Sequence, residues 1–318
     1  MENLTANRTA NQKSIKYRPV AIFLSITFAL SAIFYFLIIY SGSLSSGWGY
    51  YTMGLMWCPG IAALITMKIL RRDVRELGWK WGKTKYQIWS YVLPLLYTLV
   101  AYLVIWGFRW GGFYNRDFAD RLIQTFGIAE VGSGAVIVFY FILAGIFGMA
   151  RSVASALGEE IGWRGFLVPE LYKNLGYTRT SLISGAVWGI WHLPILLFAD
   201  YNSGTPMWYA MLCFLVMVIS MSFIYTWFRM KSGSLWTAVL LHASHNLFIQ
   251  SIFTPLTQDT GNSAYFIDEF GAVLPIAGII LAVYFWSKRA KLPQPRPEMS
   301  QPQPGMFQPQ PEMSQQLP

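Results

Sequence analysis

Residues 235–252 read LWTAVLLHASHNLFIQSI, an apolar run broken only by a short polar stretch holding His242, His245 and Asn246. A second run, SLISGAVWGIWHLPILLF at 181–198, holds His192, the third and last histidine among 318 residues. A third begins near Ser133 and closes on Gly158-Glu159-Glu160-Ile161-Gly162-Trp163-Arg164. An ionisable side chain in hydrocarbon costs about 2.5–3.5 kcal/mol, so such residues are rare there and usually functional. A chain that places its whole histidine content in such runs is expected to build a polar site inside a membrane.

Composition agrees. Hydrophobic residues make up 54% and charged residues 12% of the chain, and the mean hydropathy is +0.39, values of a polytopic membrane protein. A spanning helix needs roughly 20 mostly apolar residues. Eight stretches qualify: 20–40, 51–70, 87–106, 133–157, 181–198, 207–227, 235–253 and 270–287. The fifth is short, and Pro194 interrupts it near its end. The predicted fold is all-α: a transmembrane bundle of about eight helices enclosing a polar intramembrane cavity. Residues 1–19 read as a polar cytoplasmic tail and 20–290 as one transmembrane domain. Residues 291–318 read as a disordered Pro/Gln-rich cytoplasmic tail, with Pro-Glu-Met-Ser-Gln at 297–301 and again at 311–315. The first apolar run is too long for a signal peptide and reads as a retained anchor. The loop at 107–132 carries an amphipathic piece, RDFADRLIQTF.

Orientation follows from the Lys and Arg distribution. Most of the 24 fall into alternate segments: Arg8 to Arg18, Arg71 to Lys85, Arg164 to Arg179, Arg229 with Lys231, and Lys288 to Arg296. Arg109, Arg116 and Arg121 lie on the other side, beside Asp117, Asp120 and Glu130. Lys68 and Arg151 fall near the ends of apolar runs, where long side chains snorkel. Both termini are expected in the cytoplasm. The net charge of +9 then reflects topology and contact with anionic membrane lipid, not nucleic acid. Cys58 and Cys213 both sit in spans and read as packing residues.

Helical spacing sorts the polar residues. Glu160 and Arg164 are four apart and share a face, where they can pair. Glu159 is rotated about 100° from its neighbour, free of that pair. A buried free carboxylate suits a general base or a metal ligand; the plainer reading is an interfacial salt bridge beside a solvated glutamate. Trp188 and His192 are one turn apart, and a lone intramembrane histidine can simply bond a neighbouring helix. His242 and Asn246 share a face and could form an oxyanion hole or an ordinary interhelical hydrogen bond. Together, three pieces on three spans gather every histidine and an adjacent acidic pair.

Rival chemistries lack their residues. There is no His-Glu-x-x-His, no serine in a nucleophile-elbow setting, and all six aspartates fall in loops or at span ends. The order Glu-Glu-x-x-x-Arg, aromatic-x-x-x-His and His-x-x-x-Asn on successive helices resembles the CPBP family of intramembrane proteases, the type II CAAX prenyl endopeptidases and their bacteriocin-processing relatives. That family usually has Phe where this chain has Trp188, and His245 lies outside its pattern.

The resemblance implies peptide-bond hydrolysis in a membrane cavity open to the cytoplasm. Glu159 and His192 would activate a water, His242 and Asn246 would stabilise the oxyanion, and Glu160 and Arg164, with Trp188, would brace the site. No cofactor is expected to be required; the alternative is zinc held by Glu159, His192 and His242. The partners implied are membrane lipid and a peptide or protein substrate, which could be lipidated, in a bacterial plasma membrane. Two other readings stand beside it: a proton-coupled transporter, although no inverted repeat is found, and a non-catalytic membrane scaffold.

Overall fold

Five helical stretches in the computed structural model are long and apolar enough to cross a membrane: Lys16–Ser41, Tyr50–Ile69, Thr84–Gly107, Gly134–Phe198 and Met207–Ser232. The fourth is 65 residues long, and it turns at Gly176, whose φ of 68° and ψ of −177° are open to glycine and strained for other residues. It therefore holds two of the passes read from the sequence. The helical run from Leu235 to Leu256 and the shorter apolar helix Val273–Ser287 supply two more. The protein is an all-α polytopic bundle, as expected. The structure describes residues 2–127, 132–199 and 204–294; the expected Pro/Gln-rich tail from 295 onward and Glu130 lie outside them.

In chain order the helices are α1 (Glu2–Ser41), α2 (Tyr50–Ile69), α3 (Thr84–Gly107), α4 (Arg116–Phe126), α5 (Ser133–Leu143), α6 (Met149–Glu160), α7 (Val168–Phe198), α8 (Met207–Ser232), α9 (Leu235–Asn246), α10 (Thr254–Leu256) and α11 (Val273–Ser287). Two short strands, β1 (Gly112–Phe113) and β2 (Thr257–Gln258), pair antiparallel at one end of the bundle. Wider, π-type turns at Ala144–Gly148 and Ile161–Leu167 join α5, α6 and α7 into one path, and another at Leu247–Phe253 joins α9 to α10. Such turns are rare and often mark functional sites. Two of them begin directly after Glu160 and Asn246.

One local expectation changes. Arg151 does not sit at a helix end, because the helical path runs on past it through Glu160. Pro194 lies inside its helix near the end, and α7 continues to Phe198, since a single missing N–H is tolerated where the neighbouring turns remain bonded. The RDFADRLIQTF piece is α4, whose first turn is capped by Asn115 Oδ1 accepting from the Phe118 N–H at 3.3 Å.

Against α6 pack α2 on one side and α9 on the other; α7 lies on α8, α3 on α9, and α11 on α8. The α2–α6 approach explains the glycines around the acidic pair. A Cβ on Gly158 would stand 2.7 Å from Trp57 and 2.8 Å from the Met56 carbonyl, and one on Gly162 would stand 2.4 Å from Pro59. Four apart, these two glycines let backbones meet, the small-xxx-small logic of membrane helices. They fix Glu159 and Glu160 against the next helix. Ile33, Phe36, Ile88, Val100, Ile142, Ile190 and Ile280 remain exposed, an apolar girdle suited to lipid rather than water.

The end of the bundle rich in Lys and Arg is closed. Arg229 Nε donates to the Arg164 carbonyl at 2.8 Å and its Nη2 to the Leu77 carbonyl at 3.2 Å. The Leu235 N–H donates to the Gly78 carbonyl at 2.7 Å, and Trp236 Nε1 to the Trp79 carbonyl at 2.9 Å. Leu292, at the start of the expected tail, is buried against Tyr172 and Tyr177.

Candidate active site

At the last turn of α6 the two glutamates point to different partners, as a rotation of about 100° per residue requires. Glu160 is fully buried. Its Oε1 accepts from Arg164 Nη1 at 2.9 Å and from His242 Nδ1 at 2.9 Å. The Arg164 guanidinium lies between the rings of Trp188 and Tyr225, 4.2 Å from each centroid, so cation–π attraction supports it where water cannot. Glu159 instead receives two indole N–H groups on Oε2, from Trp188 Nε1 at 2.7 Å and Trp163 Nε1 at 3.3 Å. Its Oε1 has no hydrogen-bond partner among the described residues, and Glu159 lines the central cavity.

His192 hangs one turn beyond Trp188 on α7. Its Nδ1 lies 2.9 Å from the Trp188 carbonyl; a carbonyl only accepts, so Nδ1 carries the hydrogen and a neutral ring keeps its lone pair on Nε2. His242, on α9, is oriented the same way by Glu160. A neutral His242 therefore offers a lone pair at Nε2, and it donates there only when the ring holds both protons. Asn246, one turn along α9, lines the cavity beside it.

All four sequence-read catalytic candidates, Glu159, His192, His242 and Asn246, line one cavity of about 280 Å³ with Trp188. Glu160 and Arg164 sit behind this wall, joined to it through His242 and Trp188. Much of the remaining wall is apolar: Leu55, Met56, Ile195, Phe214, Met217, Val218 and Met221. From the buried Glu159–His242 end the walls rise to Leu44 and Thr52, around the α1–α2 connection, and to Glu269, between α10 and α11. That is the end away from the Lys- and Arg-rich face.

Several participants escaped the sequence reading. Trp163 and Tyr225 were indistinguishable from packing aromatics, since their partners are remote or become polar only in the fold. His245 has a defined place: its Nδ1 meets the Tyr97 hydroxyl and its Nε2 lies 3.0 Å from Glu269 Oε1. Gln250 Nε2 also donates to Glu269, at 3.4 Å. His245, Gln250 and Glu269 line the same cavity. Burial raises the Glu269 carboxyl, but the hydrogen bond and charge of His245, aided by His192 and His242, outweigh it and hold the group below its ordinary value. Next to it, burial and the Glu269 charge push Asp268 up to about 7.

Among the described residues no three His, Cys, Asp or Glu side chains form a group that could hold the zinc of the alternative reading.

Comparison with known proteins follows the same residues. Positions 138–248, which contain all three motifs, match the family described as type II CAAX prenyl endopeptidase Rce1-like. The chain is 24% identical over 284 residues to CAAX prenyl protease 2 of Methanococcus maripaludis, a match covering 84% of this chain and 94% of the relative. The likeness thus extends well beyond the motifs. This chain is an integral membrane peptidase, similar to the type II CAAX prenyl endopeptidases.

Proposed function

We propose that the peptidase cleaves its substrate with a water held between Glu159 and His192, using no metal. What carries this reading is the free Oε1 of Glu159 on the wall of a cavity that also receives His192, His242 and Asn246. The water oxygen attacks the peptide carbonyl carbon while its proton passes to Glu159, with His192 Nε2 accepting from the same water. The developing oxyanion takes hydrogen bonds from the Asn246 amide and from His242 Nε2. Donation by His242 requires the doubly protonated ring, and the Glu160 carboxylate on Nδ1 stabilises that cation. Arg164 fixes Glu160 in turn. The tetrahedral intermediate collapses with cleavage of the C–N bond, and the proton stored on Glu159 goes to the departing amine.

The apolar wall of the cavity favours an apolar or lipidated peptide, in keeping with the name of the archaeal relative. The Lys and Arg distribution supports cytoplasmic termini. Purified variants test the chemistry. Loss of a general base costs about 10²–10⁴ in rate and loss of an oxyanion donor about 10²–10³. E159Q and H192A are expected to fall in the first range and N246A in the second, each eluting as folded wild type. E159Q turnover within tenfold of wild type refutes the assignment. Activity that disappears on chelation and returns with zinc refutes the metal-free part alone.

A further inference from the structure

His245 lies outside the three motifs, yet both of its ring nitrogens are engaged. Nε2 lies 3.0 Å from Glu269 Oε1, and Nδ1 meets the Tyr97 hydroxyl of α3. A carboxylate only accepts, so Nε2 carries the hydrogen, and on a neutral ring Nδ1 accepts from Tyr97. All three side chains are buried. Glu269 is itself a fixed post. The Asp268 N–H donates to the Tyr102 hydroxyl at 3.2 Å, and the Phe270 ring stacks on Phe214 of α8 at 5.6 Å. The loop between α10 and α11 is thereby tied to α9, on the wall of the catalytic cavity.

The tie falls where the helix needs one. Asn246, the residue after His245, is the last of regular α9, and a wide turn begins at Leu247. Further on, Pro255 has no N–H to give, and the Ser251 carbonyl, four residues before it, takes the Tyr140 hydroxyl instead, at 2.9 Å. Regular helical bonding therefore does not by itself fix the direction of the Asn246 side chain. His245 and Gln250, five apart, would stand about 140° apart on a regular α-helix. Across the wide turn both reach the Glu269 carboxylate, Gln250 Nε2 donating at 3.4 Å, with Asn246 between them in the chain. Resting on the reading of Asn246 as an oxyanion donor, we propose that Glu269 is a positioning residue for the hydrolysis. Through His245, backed by Tyr97, and through Gln250, it sets the turn of α9 that aims the Asn246 amide at the developing charge. A misplacement of about 1 Å can cost about a hundredfold in rate, so this role is read in kcat.

The test uses detergent-purified full-length protein and a quenched fluorogenic peptide that the wild type cleaves. E269A is expected to lower kcat about tenfold to a hundredfold with KM within about twofold. E269Q keeps an acceptor for His245 and is expected to recover at least about threefold over E269A. Y97F keeps the ring and loses the hydroxyl; its kcat is expected to fall about fivefold, the worth of one neutral hydrogen bond. Added to N246A, E269A is expected to cost no more than about threefold further, because groups that act as one unit are not additive. An E269A kcat within about threefold of wild type overturns the proposal, as does a loss confined to KM or one that multiplies in full with that of N246A. E269Q as slow as E269A overturns it too, since charge rather than a placed acceptor then matters. Where E269A does not fold, Y97F and its cycle with N246A decide by the same criteria, and a wild-type kcat in Y97F is the contrary result. N246A at the wild-type rate sinks the oxyanion assignment and this proposal with it, whereas an impaired N246A beside an unimpaired E269A sinks the proposal alone.

Discussion

At the scale of single residues, Trp188 shows both the reach and the limit of reading the chain. The sequence marks it as an aromatic one turn from His192, at a place where the resemblance leads one to expect Phe. In the fold its ring does face Arg164 at 4.2 Å, but its N–H also binds the Glu159 carboxylate at 2.7 Å. Phe has no such donor. A hydrogen bond to a charged group contributes about 1.5–3 kcal/mol, equivalent to about ten- to a hundredfold in rate. W188F is therefore expected to lower kcat/KM by about that factor, with little change in thermal stability. An unchanged kcat/KM would reduce Trp188 to packing. The Glu, His and Asn candidates were legible because a polar side chain in an apolar helix stands out and its spacing fixes its face. Trp163, Tyr225 and Tyr97 were not, because an aromatic in a membrane helix reads as lipid-facing or core until its partner is known.

At the scale of elements, the sequence located the helices well and their junctions poorly. Apolar length defined the spans, whereas nothing in composition announced the π-type turns after Glu160 and Asn246 or the unbroken path through Arg151. The loop between α10 and α11 was also opaque, since its Asp268 and Glu269 looked solvated. Instead Glu269 bonds His245 from the cavity side, while Asp268, at a φ of 63°, accepts the Glu269 N–H at 2.7 Å. With the Asp268 carboxyl at about 7, against about 3.9 in an unfolded chain, the folded loop retains a proton that the unfolded loop loses. Its stabilising contribution is complete below about pH 3.9 and declines as pH rises through 7. Glu269, held low, loses its contribution only on acidification below the ordinary carboxylate range, outside that window. Amide exchange across 257–272, corrected for intrinsic rate, is expected to quicken between about pH 4 and 7 in wild type and to lose this dependence in D268N. A pH-independent wild-type loop contradicts the assignment.

At the scale of the whole molecule, two sequence-level expectations meet and conflict. The Lys and Arg distribution favours the basic end of the bundle in the cytoplasm, whereas the resemblance implies a cavity open to the cytoplasm. The cavity lining includes Leu44, Thr52 and Glu269, at the opposite end, so the two expectations pull apart. Charge asymmetry acts directly during insertion, and we expect it to prevail. A cysteine placed at Thr52 is then labelled by a membrane-impermeant maleimide added to intact cells; labelling only in inverted vesicles reverses the orientation. The convergence of α6, α7 and α9 on one cavity is a property of the whole fold, and a double-mutant cycle tests whether Glu159 and His192 act there on one water. Groups that act as one unit are strongly non-additive in catalysis, while distant independent sites add. Measured as kcat/KM on one peptide, E159Q with H192Q is expected to be no slower than the worse single variant, within about threefold. Losses that multiply, so that the double variant falls by the product of both, would contradict a shared water and with it the account of this site.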